Sequence, residues 1–223
     1  MVKKHIHHVK KHGPKFTLLV AGVVLAVAVG IFAGNRIFKK KETAPVQAKK
    51  EQVITYSTDK PDESKKNADA YNWRGAPEDP KKLRIGKIGV DAFIQQAGVD
   101  QNKAVAVPNN VHLASWFSES VRPGQLGLSI IDGHVSGPTV DGVFKNLTKL
   151  AKDDKIEIEQ GNGTILKYKV VEKVELKVAD SAAYLFSQKP EIKSQLNLIT
   201  CGGQYDRAAK QFVNRVIVAA TLQ

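Results

Sequence analysis

A mainly β domain preceded by an N-terminal transmembrane helix is the architecture that this sequence predicts, on three observations. Downstream of Leu83, short apolar runs alternate with Gly, Pro, Asn and Asp. Several runs have a period of two, as in Ile156-Glu157-Ile158-Glu159 and Tyr168-Lys169-Val170, which sends alternate side chains to opposite faces of a strand. Phe16 to Gly34 carries no charge and is rich in Val, Ala and Leu.

Residues 1–15 form a basic tail containing His5, His7, His8 and His12. Residues 16–34 follow as the anchor. At about 1.5 Å per helical residue this stretch just crosses a bilayer core of ~30 Å. Arg36, Lys39, Lys40 and Lys41 come directly after it. A cleaved secretory signal is the rival reading, with Ala26, Ala28, Gly30 and Ala33 as small residues near a cleavage site. The length of the apolar run and the basic cluster behind it favour an anchor that is retained. Residues 35–80 are polar, with few large apolar side chains, and read as a linker.

Residues 81–223 hold the folded domain. Its apolar runs are Leu83–Val90, Leu126–Ile131, Lys155–Glu159, Ile165–Val178, Leu196–Cys201 and Phe212–Ala220. Their spacing suggests about eight strands, closed into a barrel or paired into a sandwich. Gly161-Asn162-Gly163 supplies a hairpin turn, since glycine reaches positive φ without strain. Val143–Leu150 and Ala182–Ser187 are candidate short helices.

The net charge is +12 over 223 residues, but the excess is N-terminal: up to Lys50, Glu42 is the only acid. The domain itself carries no nucleic-acid-binding motif, and no nucleic-acid partner is expected. A single cysteine, Cys201, excludes a disulfide framework within the chain. It is either a buried apolar side chain or a reactive thiol.

Local sequence favours the thiol. Cys201 closes the run Leu196-Asn197-Leu198-Ile199-Thr200-Cys201 and is followed by Gly202-Gly203, which puts it at the rim of a sheet. A thiol attacks a carbonyl as the thiolate, a form favoured by a neighbouring imidazolium or guanidinium. The domain has two histidines. His134 ends the run Leu128-Ser129-Ile130-Ile131 through Asp132-Gly133, whereas His112 lies in the polar stretch after Pro108 and reads as a surface residue. Arg215 sits within an apolar run, where an arginine is costly unless its charge has a partner or faces a groove. Arg207, beside Asp206, reads as part of a turn.

These residues carry a resemblance. Leu198-Ile199-Thr200-Cys201 is similar to the segment that ends in the nucleophile of sortases. Asp132-Gly133-His134 with Gly142-Val143-Phe144-Lys145-Asn146-Leu147 resembles their histidine motif and the short helix after it. Asn214-Arg215-Val216-Ile217-Val218-Ala219 resembles the strand that bears their arginine. Cys201-Gly202-Gly203-Gln204-Tyr205-Asp206 is similar to the class labelled F, while Arg215 keeps the class A register and Val213 holds the position one alternation earlier.

The resemblance implies a closed eight-stranded β-barrel with one or two short helices. It implies a cysteine transpeptidase with Cys201, His134 and Arg215 as catalytic residues and Thr200 shaping the substrate pocket. It implies substrates that are secreted proteins with an LPxTG-like sorting motif, and an amine acceptor that is a cell-wall precursor or a pilin lysine. The enzyme would be held at the membrane by its N-terminal helix, tail in the cytoplasm and domain outside. Glu119, Glu175, Asp180 and Glu191 are scattered, so no metal site is expected, and no cofactor. From the residues alone, a tethered binding module with an inert Cys201 is the alternative.

Overall fold

The computed structural model describes residues 53–55, 57 and 60–223. The tail, the anchor at 16–34 and the linker up to residue 52 lie outside them. Among the described residues no helix is long and apolar enough to cross a membrane.

The period-two runs become strands with one face inside. In β5 (Lys155–Gln160), Ile156 and Ile158 are wholly buried, while Glu159 faces outward and pairs with Arg84. The remaining strands are β1 (Pro80–Ile85), β2 (Val90–Ala97), β3 (Ala114–Phe117), β4 (Gly127–Gly133), β6 (Ile165–Lys177), β7 (Ser194–Asp206) and β8 (Gln211–Leu222). They hydrogen-bond in the order β1-β2-β3-β4-β7-β8-β6-β5 and close through β5 and β1. The open choice between sandwich and barrel is thus settled as a closed barrel. Pairs β2–β3 and β4–β7 are parallel; the others are antiparallel. The turn at 161–163 joins β5 to β6, with Gly163 at φ 87°.

Two apolar clusters follow from the alternation. Leu83, Ile131, Leu196, Leu198, Val216 and Val218 fill the barrel, each burial contributing about 1.5–3 kcal/mol. Ile130, Ile199 and Ile217 point the other way and form a second cluster with Phe117 and Leu185. Leu185 belongs to helix α2 (Val178–Leu185), which starts four residues before the helix expected at Ala182. Ser181 and Leu185, four residues apart, are its buried positions and share one helical face. Asn197 on β7 donates to the Leu185 carbonyl at 2.8 Å, satisfying an acceptor that the helix end leaves open. Of the helix expected over Val143–Leu150, only the 3₁₀ turn Leu147–Lys149 forms.

Residues 60–79, polar in composition, lie against the barrel. Helix α1 (Lys65–Asp69) is capped by Ser64. Asp62 bridges to Asn110, Tyr71 meets the Phe93 ring at 5.9 Å, and Trp73 donates to the Pro80 carbonyl at 3.2 Å. Glu63 accepts from both the backbone and the hydroxyl of Thr139, in the loop that follows His134. The contacts are mainly polar, which is why apolar content did not reveal them. A fragment starting at Ile54 is expected to fold as one cooperative unit. One starting at Pro80 should melt roughly 10 °C lower, for the loss of several net hydrogen bonds of about 1 kcal/mol each. Thermal unfolding of the two fragments checks this.

Candidate active site

Side-chain parity puts the outward residues of β4, β7 and β8 into rows across one face of the barrel. Asp132 pairs with Ile199 on the parallel strand β7, and Ile199 with Ile217 on β8. One alternation further, Cys201 pairs with Arg215. Continuing the β4–β7 register two residues beyond Asp132 sets His134 level with Cys201. The result is a row His134, Cys201, Arg215 with Asp132, Ile199, Ile217 behind it. All three members of the front row line one cavity of about 460 Å³ between α2 and the loop that joins β2 to β3.

Glycines fix the approach of the surrounding chain. A Cβ on Gly133 would sit 2.6 Å from the Phe144 ring and 2.7 Å from Val143, so a side chain there would push the Val143-Phe144 segment off the histidine. A Cβ on Gly142 would strike the His134 carbonyl. Just after Cys201 the β7–β8 register shifts and Gly203 takes φ 70°. This bulge ends the regular ladder beside the thiol.

The Cys201 thiol is half-buried. Burial pushes its pKa above the usual 9.0, and the Arg215 charge works in the opposite direction. Burial also holds His134 below the usual imidazole value of 6.5, because low-polarity surroundings disfavour the charged form of each group. The His134 ring donates from Nε2 to the Pro108 carbonyl at 2.8 Å. That bond fixes the neutral tautomer and leaves the Nδ1 lone pair free to take a proton. Arg215 donates from Nη1 to the carbonyls of Phe212 (3.2 Å) and Asn214 (2.9 Å). Its Nε and Nη2 donors have no acceptor among the described residues.

Thr200 is buried and on the inward face of β7. Its hydroxyl donates to the Gly133 carbonyl at 2.6 Å, so it shapes the cavity by tying the end of β7 to the turn before His134. His112 is held elsewhere: its Nε2 donates to the Glu63 carbonyl at 3.1 Å, and it borders a separate hollow beside α1. It is an anchor for the N-terminal segment, where the sequence suggested a surface histidine. Arg207 is exposed in the β7–β8 turn and does not reach the cavity. Sequence reading treated Asp132 only as part of the histidine motif. It borders the cavity as a half-buried carboxyl whose pKa burial raises to about 7; an acid between an apolar run and Gly-His was the available signal. Among the described residues, no three His, Cys, Asp or Glu side chains converge as metal ligands.

A family model described as the sortase domain matches residues 83–223. The chain belongs to the sortase family. Solved sortases share the fold. The lid mutant of sortase A from Corynebacterium diphtheriae is 24% identical, with 67% of this chain and 73% of that one covered and a TM-score of 0.50. The Clostridium perfringens sortase D5 transpeptidase is 24% identical over 65% of this chain and 79% of that one, at a TM-score of 0.47. Sortase C-1 from Actinomyces oris is 22% identical over 65% and 75%, at 0.48. The search of curated proteins finds no match.

Proposed function

We propose that this sortase is a surface-anchored cysteine transpeptidase that cleaves an LPxTG-like sorting motif and transfers the released acyl group to an amine. The observation that carries the proposal is the single row of thiol, imidazole and guanidinium along one cavity. In this reading Cys201 Sγ attacks the carbonyl of the motif's threonine and forms a thioacyl enzyme. His134 protonates the departing glycine amine, then accepts a proton from the incoming amine. Arg215 presents its unpartnered donors to the oxyanion. The apolar wall formed by Val105, Val178, Ala182 and Leu185 suits the leucine of such a motif. Residues 16–34 anchor the chain in the membrane with the domain outside.

The test is to incubate full-length protein, in mild detergent, with a library of LPxTG-like peptides and an amine such as triglycine, and to identify products by mass. A ligated product supports transpeptidation. Cleavage with water as the sole acceptor would make the enzyme a hydrolase, and no cleavage with an alkylation-resistant thiol would return the binding-module reading.

The role of Arg215 gives a graded expectation. A guanidinium offers several donors in a fixed plane, and lysine keeps only the charge. Arg215→Lys should be badly impaired, and Arg215→Ala should lose ~10²–10³ in rate with little change in melting temperature. Unfolding of Arg215→Ala would instead mark a structural residue, and loss of activity in Arg207→Ala would move the role there.

A further inference from the structure

His134 is held from two sides, and both lead back to one short stretch of the N-terminal segment. After His134 the chain folds back on itself. Phe144 donates to the His134 carbonyl (2.9 Å), Gly142 to that of Val135 (3.1 Å) and Gly137 to that of Val140 (2.8 Å), and Ser136 bridges to Asp141. The tip of this loop, residues 138–141, is exposed and so has little apolar packing to fix it. Glu63 reaches it from outside. Its Oε1 accepts from the backbone N–H groups of Thr139 (2.8 Å) and Val140 (3.2 Å), and its Oε2 from the Thr139 hydroxyl (2.6 Å). Bonds to a carboxylate are among the stronger hydrogen bonds. Gly137 makes the approach possible, since a Cβ there would collide with the Glu63 carboxylate.

On the other side, the His134 ring donates to the Pro108 carbonyl. Pro108 opens the stretch along which Asp62 lies: Asp62 donates to the Asn109 carbonyl (2.8 Å) and accepts from the Val111 N–H (2.9 Å). The Asn110 side chain donates to the Ser64 carbonyl at 3.0 Å. These bonds hold the backbone on both sides of Glu63. The ring bond from His112 to the Glu63 carbonyl is one of several, and its loss leaves the carboxylate in place. Residues 62–64 thus bind both the loop that leaves His134 and the stretch whose carbonyl receives its ring N–H.

We propose that Glu63 is a positioning residue for His134: its carboxylate clamps the tip of the loop that leaves the histidine, and so holds the imidazole on the Pro108 carbonyl in the tautomer that keeps Nδ1 free. The proposal rests on His134 serving as the acid–base group described above. Its consequence is that a residue outside the barrel, in the segment that leads into the domain, sets the aim of the imidazole. Small errors of aim are costly, since a displacement of ~1 Å can cost ~10² in rate.

The experiment reads the tautomer of His134 by nitrogen NMR of full-length protein with isotope-labelled histidine in mild detergent, its signals being those absent from His134→Ala. The forms compared are wild type, Glu63→Ala, Glu63→Gln and Tyr71→Ala. Wild type should show the Nε2–H form alone. Glu63→Ala should show a mixture of tautomers, with kcat for peptide ligation lower by ~10–10² and KM within about twofold. Glu63→Gln keeps an oxygen for the two backbone N–H groups and should retain the single tautomer and most of the rate. Tyr71→Ala removes a contact of the same segment with Phe93 but none with the loop, and should lower the melting temperature without mixing the tautomers. An unchanged tautomer in Glu63→Ala, or equal mixing in Glu63→Gln or Tyr71→Ala, overturns the positioning role. Glu63→Asp, one methylene too short to reach the tip, carries the same test if Glu63→Ala does not fold. The tautomer does not depend on turnover. A fixed tautomer in Glu63→Ala with wild-type ligation intact would sink only this inference, and a released one without ligation by wild type only the transpeptidase reading.

Discussion

Cys201→Ala is expected to abolish peptide cleavage and to leave the domain folded. The loss is total because covalent acyl transfer has no substitute nucleophile: Cys201 is the only cysteine in the chain. The fold survives because the substitution removes one sulfur atom from a half-buried position at the end of the regular β7–β8 ladder. The expected change in stability is below about 1.5 kcal/mol. Two measurements check this. Mass spectrometry of wild type incubated with peptide should detect a covalent adduct of the acyl fragment, absent from the variant. Thermal unfolding should nearly superimpose the two proteins. Turnover near wild type in Cys201→Ala would rule out covalent catalysis by this residue.

The second large effect is at His134. His134→Ala should lose about 10²–10⁴ in rate, the usual contribution of a positioned acid–base group. His112→Ala should change turnover little, since its ring holds the Glu63 carbonyl and not the cavity. The reverse ranking would mean that the histidine had been misassigned. The pH profile follows from the two shifts. Burial moves protonation of His134 below the usual imidazole range and ionisation of Cys201 above the usual thiol range. Between these limits the pair holds a constant number of protons. The form with thiolate and imidazolium is therefore a minor but pH-independent fraction of the whole. The kcat/KM profile should be bell-shaped, its acid limb displaced below the usual imidazole range, where imidazolium accumulates beside the intact thiol, and its alkaline limb displaced above the usual thiol range, where imidazole and thiolate are both deprotonated. In His134→Ala the acid limb should disappear.

Six of the eight strands were legible as apolar runs, because each spends several residues crossing the barrel wall with one face inside. β2 and β3 were not singled out. β2 carries a buried Gln95, which accepts from the Asn109 backbone, and this breaks the apolar pattern. β3 is four residues long and buried throughout, so it shows no alternation. Barrel closure was beyond local pattern because it depends on β1 meeting β5, strands about seventy residues apart whose pairing no short window encodes. For the candidate site, Cys201, His134 and Arg215 were legible as residue types at run ends, but their alignment was not. It depends on the parallel register of β4 against β7. The same long-range register sets Asp132 one row behind the thiol. Residues 60–79 read as linker for another reason: apart from Tyr71 and Trp73, backbone bridges and carboxylate bonds hold them, and composition reports neither.

Closure of the barrel also decides how a peptide can be gripped. An open sheet lets an extended ligand dock as one more strand, and its amides are then matched by the sheet margin whatever its side chains are. Here every strand has two partners, and the open side left next to the thiol is short: β4 pairs with β7 only as far as Ile199, while β7 runs on to Asp206. A peptide in the cavity meets chiefly side chains, from α2 and from the crossover between β2 and β3. Selectivity of the proposed enzyme thus rests on two segments, α2 and that crossover, both separable from the wall that holds the thiol. Exchanging them should retarget such an enzyme without rebuilding its chemistry.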